Sequence, residues 1–490
     1  MKSPLRFLLF LSLVSLSLIS CSKPKSQKPN ILFISVDDLR PQLGSYGLDY
    51  MKTPHLDDLA GEGTLFKNHF TQVPTCGASR YSMLTGLYPT KPGHLSNNAI
   101  VNEISNAREA GAPETFIHHF KNNGYYIAGI GKISHSADGY VYGYNEAVSN
   151  QRELPQSWDT LYFNSGAWDT GWKAFFAYAD GESRQSQNKK VKPYQHAQVE
   201  DTGYPDGLTA KLAVEKLSVL KERKEPFFMG VGFFKPHLPF NAPKKYWDMY
   251  EKENLPLAPV INAPENLTRA ALNNSNEFNH GYLNAEEHPA ANNPVSDAYA
   301  RRLRHAYFAA VSYIDAQIGM VLNELKRLDL DKNTIVLVWG DHGWHLGDQS
   351  IWGKHALFDR SLKSTLIIKA PGAQATNKTA EGIVESVDLY PTLCELSGIA
   401  VPNNLDGTNL EPMLNDASKE VKKAAHGFWH NGTTVRTKEY RLMRFPKQKG
   451  SAKYGLFDHR KDSYEAVDIS KSNPEKVKEL EALLKDFSNN

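Results

Sequence analysis

The run Asn30-Ile-Leu-Phe-Ile-Ser-Val36 constrains the fold of this chain more than any other segment. A stretch of aliphatic, β-branched and aromatic residues without polar alternation describes a strand buried on both faces, as in a parallel sheet covered by helices. The pattern then repeats. Residues 114–123 read as a helix closed by Gly124, followed by a strand over 125–130. Leu208, Leu212, Leu217 and Leu220 mark a helix closed by Pro226 before a strand over 227–234. A long helix over 298–328 aligns Leu303, Tyr307, Val311, Ile314 and Ile318 on one face. Strands over 334–339 and 365–369 follow. The alternation predicts an α/β fold: a large mixed, mostly parallel sheet sandwiched by helices.

Polar residues punctuate the strand ends. Asp37-Asp38 follows the first strand, Lys132 and His135 the second, His237 the third and Asp341-His342 the fourth. Open α/β sheets bind ligands outside the carboxyl ends of their strands. Four clusters in equivalent positions therefore predict one converged site.

Beyond Ile399 to Pro402 the pattern changes to short runs such as Tyr440-Arg-Leu-Met-Arg-Phe445 and Tyr454-Gly-Leu-Phe-Asp458, then a charged helix from Pro474. This predicts a smaller C-terminal α+β subdomain on an antiparallel sheet. Two polar segments interrupt the main part: residues 182–199, rich in Lys and Gln, and residues 263–294, rich in Asn. Loops of that length inside a compact unit commonly form lids or rims. The expected division is residues 30–400 as a catalytic domain and 401–490 as the subdomain.

The first residues read as an export signal. Lys2 and Arg6 precede an apolar run from Phe7 to Ile19, too short to span a bilayer as a mature helix. Ser20-Cys21 at its end resembles a bacterial lipoprotein cleavage site. That resemblance implies a signal peptide over 1–20, a lipid-anchored Cys21 with a tether over 21–29, and residence in the bacterial cell envelope, at the periplasm or outer-membrane surface. The chain carries 56 Lys+Arg against 54 Asp+Glu. Both surplus cations lie in this leader, so no basic field recruits nucleic acid and anion recognition must be local. Three cysteines, Cys21, Cys76 and Cys394, in 490 residues exclude a disulfide-built scaffold.

Asp37-Asp38 offers hard oxygen donors for Ca²⁺ or Mg²⁺, and Gly340-Asp341-His342-Gly343 brings a third carboxylate to the same edge. The most specific stretch is Cys76-Gly-Ala-Ser-Arg80-Tyr-Ser-Met-Leu-Thr-Gly86, with Pro89 beyond it. It reads as a helix start, where free N–H groups attract an anion, with Arg80 one turn on to add a bidentate fork. Taken singly, Lys132 or Lys354 is an ordinary solvated charge and His135 or His237 an ordinary loop histidine.

As a set, these residues resemble the sulfatase family. Cys76, Ala78, Ser79, Arg80, Leu84, Thr85 and Gly86 match its signature, with Ala78 in place of the more usual Pro. Gly131-Lys132-Ile-Ser-His135, Lys235-Pro-His237-Leu-Pro-Phe240 and Gly353-Lys354-His355 match its further motifs. The Asp341-His342-Gly-Trp344-His345-Leu-Gly347 segment is similar to iduronate-2-sulfatase-like enzymes, where His stands in place of Asn beside the metal Asp. The resemblance implies an alkaline-phosphatase-like fold and hydrolysis of sulfate esters on a saccharide, including 2-O-sulfated uronic acid. It implies Cα-formylglycine made from Cys76 by a maturation enzyme, and one Ca²⁺ on Asp37, Asp38, position 76, Asp341 and His342. Arg80, Lys132 and Lys354 would neutralise sulfate charge, His135 would act as base, and His237 or Lys354 would protonate the departing oxygen. Arg40, Trp344 and His345 are candidate substrate contacts. Phosphate or phosphonate ester hydrolysis by the same machinery, and a glycan-binding lipoprotein that kept the fold, remain open readings.

Overall fold

A computed structural model describes residues 28–106, 112–446 and 451–485. The leader and Cys21 lie outside the described residues. The eight strands of the main sheet are β1 (Asn30–Val36), β2 (Thr64–Phe70), β3 (Tyr126–Gly131), β4 (Thr160–Tyr162), β5 (Phe227–Phe233), β6 (Thr334–Gly340), β7 (Leu366–Lys369) and β8 (Lys378–Glu385). Their spatial order is β8-β2-β7-β6-β1-β5-β3-β4. Strand β1 pairs in parallel with β5 on one side and β6 on the other. Only β7 runs against its neighbours. The sheet is thus mixed and mostly parallel, as the alternation predicts.

β1 sits in the middle because both of its faces are apolar. Leu32, Ile34 and Val36 pack into one layer with Tyr307, Val311 and Leu217. Ile31 and Phe33 enter the opposite layer with Phe116, Phe120 and Trp339. Each fully buried side chain of this kind contributes about 1.5–3 kcal/mol. The first layer is covered by helices Pro205–Lys221 and Asp297–Arg327, the long helix falling within a residue of its sequence-predicted ends.

Strands β2, β4 and β8 have no counterpart in the sequence analysis. β2 carries exposed Lys67 and half-exposed Asn68, which break the apolar run. The Asn-rich segment is not all loop: helix Asn276–Gly281 forms within it. At the C-terminus, β9 (Ala424–Trp429), β10 (Gly432–Thr437), β11 (Tyr440–Phe445) and β12 (Lys453–Asp458) form a separate antiparallel sheet in that order. Helix Pro474–Glu481 adds Val477 and Leu480 to its core. Among the described residues, no helix is long and apolar enough to cross a membrane.

Candidate active site

The four polar clusters converge on Cys76. This residue opens helix Cys76–Thr85, follows Thr75 and is 3% exposed. The helix start is tied down by Asn97, whose Oδ1 accepts from the Gly77 N–H at 2.9 Å and from the Thr75 hydroxyl at 3.1 Å. Only glycine fits at position 77, because a Cβ there would lie 2.1 Å from the Asn97 carbonyl oxygen. That close approach fixes where the Cys76 side chain points.

Three chemically different groups surround the sulfur. Sγ donates to Asp37 Oδ1 at 3.2 Å, lies 3.4 Å from His342 Nε2, and accepts from Lys354 Nζ at 3.3 Å. Burial and Asp37 push the thiol well above its ordinary value, with Lys132 and Lys354 opposing. As a free cysteine it is therefore a protonated, poor nucleophile.

The carboxylates stand at the ends of β1 and β6. Asp38 adopts a left-handed backbone, φ 60°, and its N–H donates to Asp341 Oδ1 at 2.9 Å. Lys132 Nζ donates to Asp37 Oδ2, and Lys354 Nζ donates to Asp38 Oδ1 at 2.9 Å. Asp38 Oδ2 is buried with no hydrogen-bond partner. Burial would raise Asp37, but Lys132, His237 and Arg80 outweigh it and hold Asp37 well below the usual carboxylate range. Burial raises Asp38 against the pull of Lys354. Burial and Asp37 push Asp341 up to about 6. His342 is lowered to about 4 by burial and Lys354, so its imidazole is neutral at neutral pH. Its Nδ1 donates to the Gly343 carbonyl at 3.0 Å, leaving Nε2 as a lone pair toward Cys76 and Asp341.

Arg80 is turned differently from the sequence reading. Most of its fork is held by the protein, and Nη2, 3.1 Å from Asp341 Oδ2 and 3.7 Å from Asp37 Oδ1, is the one arm without a hydrogen bond. Nε donates to Asp341 Oδ2 at 3.1 Å, and Nη1 to the carbonyls of Lys132 at 2.6 Å and Ile133 at 3.0 Å. The helix rotates this fully buried side chain into the sheet edge, where it braces Asp341 and the loop bearing Lys132. Lys132 Nζ also lies 4.6 Å from the Phe175 ring centroid. His135 packs on Trp172 at 5.5 Å between ring centroids. Burial and the Lys132 charge hold it well below the usual histidine value, hence neutral. His237 lies between two cis-prolyl bonds, 235–236 and 238–239. Its Nδ1 donates to the Leu238 carbonyl at 2.6 Å and its Nε2 faces Asp38 Oδ2 at 3.9 Å.

One site residue escaped the sequence analysis. Glu277 from the Asn-rich segment brings Oε1 to 3.0 Å from His237 Nε2 and Oε2 to 3.5 Å from Lys354 Nζ. Burial opposes ionisation, yet Lys354 and His237 hold it well below the usual range. The candidate substrate contacts are placed less favourably. Arg40 Nη1 donates to Asp348 Oδ2 and to the Trp344 carbonyl, both at 3.0 Å. His345 Nδ1 meets the Asp348 carbonyl at 3.1 Å and is fully buried. The Trp344 ring backs Lys354 Nζ at 5.2 Å and is equally buried. All three support the loop behind the site.

The donor set fits a hard dication. Ligand atoms of Asp37, Cys76, Asp341 and His342 lie within 4.8 Å of one another. Around them stand four carboxylates (Asp37, Asp38, Asp341, Glu277) against three permanent cations (Arg80, Lys132, Lys354). That balance repels an anion, whereas two added positive charges reverse it. The raised Asp341 and the orphaned Asp38 oxygen are what such a cluster displays before a cation is bound.

An α/β sheet that presents a buried cysteine at a helix start, beside carboxylates at strand ends, is the framework of an ester hydrolase acting on an anionic tetrahedral group. The chain matches the Sulfatase family model over residues 29–399, and the N-sulphoglucosamine sulphohydrolase C-terminal model over residues 340–489. Iduronate 2-sulfatase of Mus musculus is 31% identical over 407 residues, covering 76% of this chain and 69% of that protein. The fold is shared with the structure of an enzyme in complex with its substrate D-glucosamine-2-N,6-O-disulfate, at TM-score 0.69 and 21% identity, covering 93% of this chain and 97% of the other. It is also shared with a phosphonate monoester hydrolase from Silicibacter pomeroyi, at TM-score 0.70 and 20% identity, covering 93% and 94%. The chain belongs to the sulfatase family and is a sulfuric ester hydrolase.

Proposed function

We propose that this sulfatase removes sulfate from a sulfated saccharide, an O-sulfated sugar of a polysaccharide or its fragments that includes 2-O-sulfated uronic acid. The observation that carries the reading is the convergence of Lys132, Lys354, His237 and three strand-end carboxylates on one buried position, Cys76. The relationship to iduronate 2-sulfatase supports the sugar class. A maturation enzyme would have to oxidise Cys76 to formylglycine, whose hydrate would supply a hydroxyl to displace the sugar oxygen from sulfur and a second hydroxyl whose deprotonation re-forms the aldehyde and releases sulfate. The protonated state of the unmodified thiol supports that need for modification.

Asp37, Asp38, Asp341 and His342 would hold a calcium ion, which would supply positive charge against a sulfate oxygen. Lys132 and Lys354 would add donors for the charge that develops on the equatorial sulfonyl oxygens, and Arg80 keeps Asp341 in place behind them. His135, neutral, buried and within the field of Lys132 and Asp37, would act as the base that accepts a proton. His237 or Lys354, both in contact with Glu277, would donate one to the departing sugar oxygen. An envelope-anchored enzyme, lipidated at Cys21, remains part of this proposal.

A panel of defined sulfated oligosaccharides, run beside phosphate and phosphonate esters of matched structure, tests the reading. Free sulfate from the saccharides, at rates well above any phosphate release, is the expected result. Faster cleavage of the phosphorus esters would favour the phosphonate-hydrolase alternative, and binding without turnover the glycan binder.

A further inference from the structure

Between residues 183–189 and helix Asn276–Gly281 lies a cleft of about 400 Å³. Its inner end is Glu277, the carboxylate that touches His237 and Lys354, so the cleft opens onto the reaction centre. A volume of this order suits a small ligand such as a sugar residue. Arg184 lines it, only 8% exposed, with its guanidinium lying 3.3 Å from the Phe176 ring centroid and 5.7 Å from that of Tyr282. Among the described residues no carboxylate pairs with it. Aromatic faces offset part of the cost of burying a guanidinium, but the fork itself is left with no anion to grip.

The neighbouring groups extend the same pattern. Lys189 stands exposed at the rim, its N–H donating to the Arg184 carbonyl at 2.8 Å and its carbonyl accepting from Leu283 N–H at 2.9 Å. The loop is thereby tied to both walls of the cleft. Gln185 Oε1 is buried without a partner, an acceptor left for a hydroxyl. Glu277 is neutralised by Lys354 and His237, so it does not cancel the charge of Arg184 and Lys189.

We propose that this cleft is a second anion subsite, in which Arg184 and Lys189 receive a carboxylate or further sulfate of the saccharide whose scissile ester lies at position 76. The proposal rests on the saccharide reading above. A guanidinium fork matches either anion with two parallel hydrogen bonds, and the planar carboxylate matches it best. The subsite selects substrates by a charge remote from the bond that breaks.

Arg184→Gln, Arg184→Lys and Lys189→Ala, assayed on three probes, test it. The probes are a monosulfated neutral disaccharide, a monosulfated disaccharide bearing a uronate carboxylate, and a disulfated neutral disaccharide. In Arg184→Gln the ratio of kcat/KM for a doubly anionic probe to that for the singly anionic one is expected to fall about tenfold or more, mainly through KM. Arg184→Lys, which keeps the charge and loses the fork, should recover part of it. A fall confined to the uronate probe assigns a carboxylate subsite, and a fall confined to the disulfated probe a sulfate subsite. An unchanged ratio overturns the proposal, whether the rates drop together because Arg184 only packs Phe176 or do not drop at all. If the wild-type enzyme releases sulfate from none of the probes, the saccharide reading fails by itself. The subsite is then read by calorimetry on Cys76→Ala: weaker binding of the doubly anionic probes when Arg184→Gln is added supports it, and equal binding overturns it.

Discussion

At the scale of single residues, the site works by assigning opposite environments to like groups. Asp37 is held ionised by Lys132, while Asp341 is lifted toward neutrality by burial and by Asp37 itself, with Arg80 and Lys132 opposing. A dication resolves that conflict. If the site holds a divalent metal as proposed, Asp38→Asn and Asp341→Asn are expected to lose it, measured by elemental analysis of the purified protein; full metal occupancy in both variants would contradict the assigned donors. Glu277 plays a different part, pairing with His237 and Lys354, the two groups proposed to protonate the departing oxygen. Glu277→Gln removes a charge-assisted contact of about 1.5–3 kcal/mol, so kcat is expected to drop roughly tenfold while the melting temperature barely moves. The Cys76 to Gly86 string was legible because its chemistry is concentrated in one turn of helix. Glu277 was not, because nothing in an Asn-rich stretch marks one carboxylate as the one that meets two cations from distant motifs.

At the scale of elements, two close approaches set the geometry. Helix Cys76–Thr85 can dock on Asn97 only because residue 77 lacks a side chain. Gly77→Ala forces that contact apart at a cost of about 1–3 kcal/mol, the usual range for overpacking. Lower thermal stability, together with a larger loss of turnover than of substrate affinity, is the expected outcome; wild-type behaviour on both counts would deny the docking its role. The second approach is between β3 and β5, where a Cβ on Gly232 would sit 2.1 Å from the Lys132 backbone. It brings the Lys132 loop against the end of β1, where Ser35 Oγ donates to the Lys132 carbonyl at 2.8 Å. Strands β1, β3, β5 and β6 were readable as uninterrupted apolar runs. The reversed direction of β7 was not, since a four-residue apolar segment carries no sign of its polarity. The edge strand β8 was hidden by its exposed Lys378, Thr379 and Glu381.

At the scale of the whole molecule, the C-terminal sheet is joined to the catalytic part by a buried ionic knot. Arg441 donates from Nε to Glu465 Oε1 at 2.6 Å and pairs with Asp359, which Arg436 also meets at 3.2 Å. Burial works against Asp359, but Arg436 and Arg441 hold it well below the usual carboxylate range. Glu465 is likewise lowered, with burial outweighed by Arg441. Carboxylates depressed in the folded state contribute stability that is present above their unfolded values of about 4 and is lost as pH falls through the lower folded values. The knot is thus expected to be intact at neutral pH and to fail in acid. Removing its centre with Arg441→Met takes away the guanidinium that Asp359 and Glu465 share, leaving Arg436 and His459 as their remaining partners, a loss of up to about 3–5 kcal/mol. Chemical denaturation at pH 7 should show that loss, with a smaller difference from wild type below pH 4; an equal difference at both pH values would place the stabilisation elsewhere.

The central claim is that position 76 carries the nucleophile of a saccharide sulfatase. It is tested most directly by the sulfate released from sulfated oligosaccharides by the wild-type protein and by Cys76→Ala, each produced in a host that makes formylglycine. The account expects release by the wild type and none above background from a folded Cys76→Ala. Turnover retained by Cys76→Ala would contradict it.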